Sequence, residues 1–333
     1  MTAGWSLVAT MRIGLGQFNQ VTDERLQFIK QLGVEDCVIN AAGGSPELPG
    51  QTHWEYKDLV ALRTRFEDVG LRLASIENVP FHFYDKIMLG LPGRDEQIEH
   101  MATTIRNMGS AGIPILGYHW MPNGVWRTSW KAPGRGGAHV TGFDLSLVEK
   151  APLSHGRRFT EEEMWDAYEY YMSRILPVAE EVGVKLALHP DDPPVGELGG
   201  VPRLFSSLEG FKRAMEIGDS PMHGLDFCNG CWSEMGIEGG TVAAIRYFGE
   251  RGKIFYVHFR DVQGTVPKFR ECFLGEGNCD MFQVMKALKD VGFDGFMIPD
   301  HVPRLVGDTD WCHRGRAHAV GYMQALLHAV NSI

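Results

Sequence analysis

The sequence has few cysteines, no long apolar run and a shortage of positive charge. Its six cysteines are scattered over 333 residues, which argues against a disulfide scaffold and is typical of free thiols in a reducing cytosol. No apolar stretch reaches the ~18 residues of a membrane-spanning helix. The first ten residues lack the basic start and long apolar middle of a signal peptide. We therefore predict a cytoplasmic protein, not bound to a membrane, with an N-terminal extension over residues 1–10.

The excess of acidic over basic residues limits which binding partners the protein can have. The 42 acidic residues exceed the 32 basic ones, which gives a net charge of −10. This excess argues against a nucleic acid or an anionic membrane as the main partner. A small anionic substrate stays compatible, because a few arginines inside a cleft can outweigh the distant surface charge.

Eight short apolar runs, most of them β-branched or aromatic, alternate with helical patterns along the chain. The predicted strands are 11–18, 36–40, 72–77, 113–117, 185–188, 223–227, 254–259 and 295–298. The predicted helices are 23–32, 54–69, 94–108, 161–182, 208–217, 242–250, 281–291 and 314–330.

Strict alternation of strands and helices over eight units predicts a parallel sheet. A closed α/β barrel of the (β/α)8 TIM type is favoured over an open doubly wound sheet, because no strand is missing or doubled. The open sheet is weakened further because no Gly-rich dinucleotide motif follows the first strand. We predict a single barrel domain over residues 11–333.

Residues 118–154 break this alternation and have no clear period. The segment is rich in glycine, tryptophan and proline, and it follows the fourth predicted strand. Irregular loops of this length inside a compact domain are usually lids or binding loops. We expect a lid over the carboxyl ends of the strands, with a purely structural surface insertion as the alternative.

Four residues able to bind a divalent cation follow four of the predicted strands. His189, Cys228, His258 and Asp300 lie 39, 30 and 42 residues apart, close to the ~30 residues that one strand-helix unit of a TIM barrel occupies. Each of them alone is typical of core packing. Their joint occurrence at the strand ends, where such barrels place their chemistry, predicts one metal site.

The residues alone leave the identity of the metal open. The thiolate of Cys228 favours zinc or iron, while carboxylate and imidazole also suit manganese. A redox pair or half of a zinc ribbon, formed by Cys228 and Cys231, is a further interpretation. It is disfavoured because no second C-x-x-C follows and Cys228 already has a place in the metal site.

Other polar residues at the same rim are candidates to bind or transform a substrate. A planar guanidinium can hold a carboxylate through two hydrogen bonds, and histidine, aspartate or glutamate can transfer protons. Asp192, Tyr118 and Tyr322 are further proton-transfer candidates. We predict catalytic roles for His301, Arg260 and Asp191, and substrate-binding roles for Arg203, Arg127, Glu77 and His82.

Several long motifs resemble the D-mannonate dehydratase family. They include "LALHPDDPPVGELGGVPRLF", "CNG", "VHFRDVQ" and "IPDH", and "SIENVPFH" and "WRTS" extend the similarity. The resemblance covers nearly the whole chain from Met11 to the end.

The resemblance implies a xylose-isomerase-like TIM barrel and a homodimer or higher homo-oligomer. It also implies a bound Mn²⁺ at His189, Cys228, His258 and Asp300, with Fe²⁺ possible and Zn²⁺ less favoured. The implied reaction dehydrates a sugar acid, D-mannonate or a related aldonate, to a 2-keto-3-deoxy sugar acid. His301 corresponds to a candidate acid/base of the family.

The sequence departs from the family pattern after Asp300. The glycine expected after P-D-H is Val302, and the following loop is shorter and lacks the "PGY" tyrosine of the family. This departure keeps open a metal-dependent isomerase or epimerase that acts on a sugar or keto-sugar through an enediolate. A sugar-binding barrel without catalytic activity is a third hypothesis.

Overall fold

Eight parallel strands close into a barrel in the structure, a computed structural model that describes residues 11–333. The predicted extension, residues 1–10, lies outside the described residues. The strands follow one another around the barrel in chain order, and the last pairs with the first. This closure confirms the predicted TIM barrel against the open sheet.

The eight barrel strands are interleaved with shorter strands of the connecting loops. The strands are β1 Arg12–Phe18, β2 Asp36–Asn40, β3 Arg72–Glu77, β4 Ile115–Tyr118, β5 Ser129–Pro133, β6 His139–Asp144, β7 Lys185–Leu188, β8 Glu197–Leu198, β9 Val201–Pro202, β10 His223–Cys228, β11 Ile254–His258, β12 Val262–Thr265, β13 Lys268–Glu271 and β14 Phe296–Ile298. The barrel consists of β1, β2, β3, β4, β7, β10, β11 and β14.

Helices follow every barrel strand. They are α1 Asp23–Gln31, α2 Tyr56–Glu67, α3 Asp85–Met88, α4 Arg94–Ser110, α5 Glu161–Val182, α6 Leu208–Ile217, α7 Asn229–Met235, α8 Gly240–Gly249, α9 Met281–Asp290 and α10 His313–Asn331. All eight predicted strands and all eight predicted helices are present, and their ends agree within two residues. No helix within residues 11–333 combines the length and hydropathy needed to cross a bilayer.

Aromatic side chains fill the barrel below its carboxyl end. The rings of Tyr256 and Phe296 stack with centroids 5.2 Å apart and an interplanar angle of 8°. The hydroxyl of Tyr256 lies so close to Gly117 on β4 that an added Cβ there would collide with it. Tyr256 is fully buried, so the barrel interior is packed with side chains directly beneath the cavity at its carboxyl end.

The segment 118–154 is more regular than the sequence suggests. It contains β5 and β6, which join β12 and β13 in a four-stranded antiparallel sheet, called the rim sheet below. The expectation of an irregular loop is therefore wrong. Its strands were missed because the register of β5 with β6 is irregular and because β6 also pairs with β13, more than 120 residues later.

A buried polar contact joins β10 to β4 and to the end of α6, and Tyr168 extends it to α5. His223 on β10 has Nδ1 3.0 Å from the carbonyl oxygen of Gly218 and Nε2 2.9 Å from the hydroxyl of Tyr118. The carbonyl can only accept, so Nδ1 carries the proton and Nε2 accepts from the hydroxyl. Burial lowers the pKa of His223 to about 4. The hydroxyl of Tyr118 is therefore used in the protein core. Tyr322, the other tyrosine named as a proton-transfer candidate, lies in α10.

We expect His223 to contribute to the loss of stability in acid. The pKa of an unfolded histidine is about 6.5, so below that pH the unfolded chain gains a proton that folded His223 does not bind. The contribution is fully present above pH 6.5 and is lost as the pH falls towards 4. Between about pH 7.5 and about pH 5.5 it amounts to about 1 kcal/mol.

Urea unfolding of the wild type and of His223→Gln at both pH values measures this contribution. The drop in free energy of unfolding on acidification should be about 1 kcal/mol smaller in the variant. Comparison of the two drops cancels any general loss of stability that the substitution causes. Equal drops in both proteins would contradict the assignment.

Candidate active site and metal centre

A cavity of about 590 Å³ opens at the carboxyl ends of the barrel strands. The residues that line it include Glu77, His189, Asp192, His258, Asp300 and His301. The structure therefore gathers six of the sequence candidates at one opening, at the face where TIM barrels carry their active sites.

The four predicted metal ligands come together at the floor of this cavity. The ligand atoms of Cys228, His258 and Asp300 all lie within 4.8 Å of one another, and those of His189 and Cys228 lie within the same distance. His258 Nδ1 is 3.7 Å from Asp300 Oδ2, and Cys228 Sγ is 4.0 Å from the same oxygen. The parallel strands thus bring distant parts of the chain within reach of one cation.

The hydrogen bonds of the two histidines leave one nitrogen of each free for a metal. His258 Nε2 lies 3.0 Å from Glu77 Oε2, while its Nδ1 is buried without a hydrogen-bond partner and faces Asp300. His189 Nδ1 lies 2.6 Å from the carbonyl oxygen of Pro190, which fixes the proton there and frees Nε2. A carboxylate or carbonyl behind the imidazole is the usual support of a metal-binding histidine.

The charges of the cluster also fit a divalent cation. Burial opposes ionisation of Cys228, but hydrogen bonding from Cys231 and the charge of Arg260 hold the pKa of the thiol well below its usual range. Burial likewise opposes the charged form of His258, but Asp226 and other carboxylates raise its pKa well above the ordinary value. A proton and a metal ion would therefore compete for this imidazole.

Arg260, predicted to be catalytic, holds the ligands instead of facing the cavity. Its Nε lies 2.9 Å from Asp300 Oδ2 and 3.2 Å from Cys228 Sγ. Its Nη1 lies 2.8 Å from Glu234 and 2.6 Å from Glu271. The guanidinium is buried and its donors are used within the protein, so we correct its role to that of a positioning residue.

Arg127, predicted to bind substrate, is also committed to the protein interior. Its Nη1 and Nη2 bind the carboxylate of Asp192 at 2.5 and 2.7 Å, and Nη2 lies 3.1 Å from Glu271. Its side chain is buried. Arg127 thus links the segment that leads into the rim sheet to the loop after β7, which corrects the predicted contact with substrate.

Asp191 and Arg203 face each other away from the cavity. Asp191 Oδ1 is 3.8 Å from Arg203 Nη1, and Asp191 Oδ2 accepts a hydrogen bond of 2.7 Å from the backbone of Phe205. Arg203 donates to the carbonyl oxygen of Gly124 and to Asn123 Oδ1. The predicted catalytic and substrate-binding roles are corrected accordingly: the pair supports the cavity wall formed by residues 123 and 124.

His82 lies outside the cavity, whereas His119, which the sequence analysis did not single out, lines it. His82 is exposed and its Nε2 lies 2.9 Å from the carbonyl oxygen of Gln51, so its predicted contact with substrate is corrected. His119 was missed, yet it is buried and lines the cavity. Its Nδ1 accepts from the backbone of Met121, and burial lowers its pKa to about 3, so it is a neutral imidazole.

His301 lies at the edge of the cavity beside the metal ligands. Its Nδ1 is 2.9 Å from Glu271 Oε1, and its Nε2 is 3.7 Å from Asp300 Oδ1. The side chain is 38% exposed, which leaves the imidazole accessible from the cavity. Burial lowers the pKa of His301, but the charges of Asp300 and Glu271 outweigh it and raise the pKa above the ordinary value.

Three buried carboxylates at the site were missed. Asp226, two residues before Cys228 on β10, could have been found, since alternate residues of a strand share a face; its Oδ2 lies 3.3 Å from His258 Nε2. Glu234 lies in the short helix α7, and Glu271 ends β13 of the rim sheet. No pattern in the sequence places either of them near a barrel strand.

The chain is similar to mannonate dehydratases over its whole described length. The model of the D-mannonate dehydratase (UxuA) family matches residues 11–158 and 150–333. A mannonate dehydratase 2 from Halalkalibacterium halodurans is 31% identical, over 97% of this chain and 100% of that protein. The solved structure of mannonate dehydratase from Streptococcus suis superposes with a TM-score of 0.85 at 29% identity, covering 96% and 94% of the two chains.

Sugar epimerases are more distant. A solved L-ribulose 3-epimerase superposes with a TM-score of 0.60 at 16% identity, over 97% of this chain and 96% of that one. Similarity at this level shows a shared barrel fold and nothing about the reaction. The epimerase alternative thus has the fold alone in its support.

We expect loss of Arg260 to destabilise the protein strongly. Arg260→Met would leave Glu234 without its cation and would take one of two guanidinium partners from Glu271 and Asp192, and breaking buried pairs of this kind typically costs about 3–5 kcal/mol. Arg135→Met is a matched control, because Arg135 forms an exposed ion pair with Glu276. Such a pair contributes at most about 1 kcal/mol to the free energy of unfolding. Urea unfolding of the metal-free proteins measures both, and similar small losses in the two variants would contradict the role of Arg260.

Proposed function

The chain belongs to the D-mannonate dehydratase family, and on that premise we propose that it removes water from D-mannonate or a related aldonate to give a 2-keto-3-deoxy sugar acid. It is therefore a hydro-lyase that acts on a small sugar acid. The observation that carries this proposal is that His189, His258 and Asp300 line one cavity beside His301, with the buried Cys228 within 4.8 Å of the ligand atoms of each of the three.

The reaction breaks two bonds of the substrate. The proton at C2 and the hydroxyl group at C3 leave together as water, and the double bond between C2 and C3 forms an enol. The enol takes up a proton at C3 and becomes the 2-keto-3-deoxy acid. The C2 proton is weakly acidic and hydroxide is a poor leaving group, so the site has to stabilise negative charge and protonate the departing oxygen.

We propose Mn²⁺ as the metal, with Fe²⁺ as the alternative and Zn²⁺ less suited, held by His189 Nε2, Cys228 Sγ, His258 Nδ1 and an oxygen of Asp300. Carboxylate and imidazole ligands suit Mn²⁺, while the thiolate would also accept softer ions. When bound, the cation supplies Lewis-acid stabilisation of the charge that develops on the substrate carboxylate and enolate.

His301 is the group that protonates the leaving hydroxyl. The charges of Asp300 and Glu271 raise the pKa of His301 and so favour its charged form over that of an ordinary histidine, and Glu271 accepts the Nδ1 proton at 2.9 Å. Nε2 is then the atom that gives its proton to the C3 oxygen. Arg127 Nη2 lies 3.3 Å from the same Nδ1, but both nitrogens are donors, so Arg127 supports the imidazole only through its own bond to Glu271.

Two further properties stay predictions of the sequence. A homo-oligomer follows from the resemblance to the family, and a cytoplasmic location follows from the use of cysteine. The six cysteines are unpaired in the structure, which is compatible with that location.

We expect His301→Asn to lower turnover of D-mannonate by about 10²–10⁴-fold, the usual contribution of a general acid. Metal content should stay at the wild-type level, because His301 is not among the proposed ligands. His82→Asn is the matched control, since His82 lies outside the cavity, and it should leave turnover unchanged. An assay of 2-keto-3-deoxygluconate formation measures turnover in all three proteins. Undiminished turnover in His301→Asn would exclude His301 as the general acid.

Removal of the metal should abolish turnover. Dialysis against a chelator is expected to give inactive protein that Mn²⁺ restores more fully than Zn²⁺. Cys228→Ala should bind metal more weakly, because one charged ligand is lost, whereas Cys279→Ala, a cysteine outside the cluster, should bind it normally. Elemental analysis together with the assay tests this, and full activity of metal-free protein would refute metal dependence.

A further inference from the structure

Two residues with unusual backbone conformations line the cavity on the wall formed by β1, β2 and β3. Among residues 11–333, the non-glycine residues with positive φ are Gln17, Asn78 and Cys312, at 60°, 61° and 58°. Gln17 and Asn78 both line the cavity. Such conformations cost of order 1 kcal/mol or more and persist where the surrounding structure imposes them, often at functional sites.

The backbone directs both side chains into the same part of the cavity. The pairing of β1 with β2 shifts register between Gly16 and Phe18, so Gln17 lies in a bulge. Bulges next to active sites redirect a side chain that would otherwise follow the strand alternation. Asn78 comes directly after β3, and its backbone donates to the carbonyl oxygen of Gly117.

Three amide side chains converge on one carboxylate. Gln17 Nε2, Asn40 Nδ2 and Asn78 Nδ2 lie 3.4, 3.2 and 3.3 Å from Glu77 Oε1. The other oxygen, Glu77 Oε2, is 3.0 Å from His258 Nε2. We call Gln17, Asn40 and Asn78 the amide wall; it lies directly behind one of the proposed metal ligands.

The amide wall has an acceptor without a partner. Asn78 Oδ1 is buried and makes no hydrogen bond, whereas Asn40 Oδ1 accepts from the backbone of Ala42. An unsatisfied buried acceptor typically costs about 1–3 kcal/mol, so a donor from a bound molecule would stabilise this arrangement. An amide-carboxylate cluster that can both donate and accept matches the hydroxyl group, which does the same.

We propose that the amide wall and Glu77 bind hydroxyl groups of the sugar-acid chain beyond C3 and so select long hydroxylated aldonates over shorter ones. The inference rests on the proposed function and assigns the specificity of the same cavity. With the reacting carbons beside Asp300 and His301, the rest of the chain extends over His258 towards Glu77. A site built to bond hydroxyl groups rejects analogues that lack them, because its polar groups are then left unpaired.

Substitutions of the amide wall test the proposal through a ratio of substrates. D-Mannonate is compared with a four-carbon aldonate of the same configuration at C2 and C3, which has the reacting atoms but a shorter hydroxylated chain. Asn78→Gly removes the side chain and tolerates the positive φ, and Gln17→Asn shortens the side chain while keeping a residue suited to that φ. Cys312→Gly is the control, since it relieves the third positive φ away from the amide wall.

In the wild type, kcat/KM should favour D-mannonate strongly. In Asn78→Gly and in Gln17→Asn that preference should fall by about 10-fold or more, mainly because turnover of D-mannonate declines. In Cys312→Gly the preference should not change. Metal content should equal that of the wild type in each variant, which separates a binding role from a role that only holds Glu77 behind His258.

Calorimetry of the Mn²⁺-loaded proteins gives dissociation constants for both acids. These constants distinguish a failure of the proposed reaction from a failure of the proposed role of the amide wall. If the wild type dehydrates neither acid, the proposed reaction fails, but a binding preference for the longer acid that the two variants lose still supports the amide wall. A preference that is unchanged in both variants, or a wild type that has none, overturns it. A loss of metal that accompanies every loss of preference also overturns it.

Discussion

The buried guanidinium of Arg260 is the contact on which the rest of the site depends. It binds Cys228 and Asp300 with one nitrogen and Glu234 and Glu271 with another. Two proposed metal ligands and the carboxylate behind His301 are therefore positioned by one cation. Its burial makes these bonds strong and also makes an imbalance of charge costly.

The rim sheet contributes residues that position the proposed general acid, His301. Glu271, which holds His301, ends β13, and Arg127 precedes β5. The barrel supplies the metal ligands, while segments inserted after β4 and β11 fix the imidazole at the edge of the cavity. The orientation of His301 thus depends on how two distant insertions pair with each other.

The sequence predicts the barrel and the meeting of four ligands because both follow from local patterns. Carboxyl ends of parallel strands share one rim, so His189, Cys228, His258 and Asp300 have to come together. The direction of a side chain in a loop has no such rule, which is why His82 points outwards and Arg203 pairs inside the protein. The rim sheet and the bulge at Gln17 depend on pairing between strands, which no single segment encodes.

The packing of Tyr256 against Gly117 has a consequence for how substrate enters the cavity and product leaves it. Because aromatic rings block the barrel below the cavity, reactant and product share one opening at the carboxyl end. The keto acid has to leave before the next aldonate arrives, and the two compete for the free enzyme.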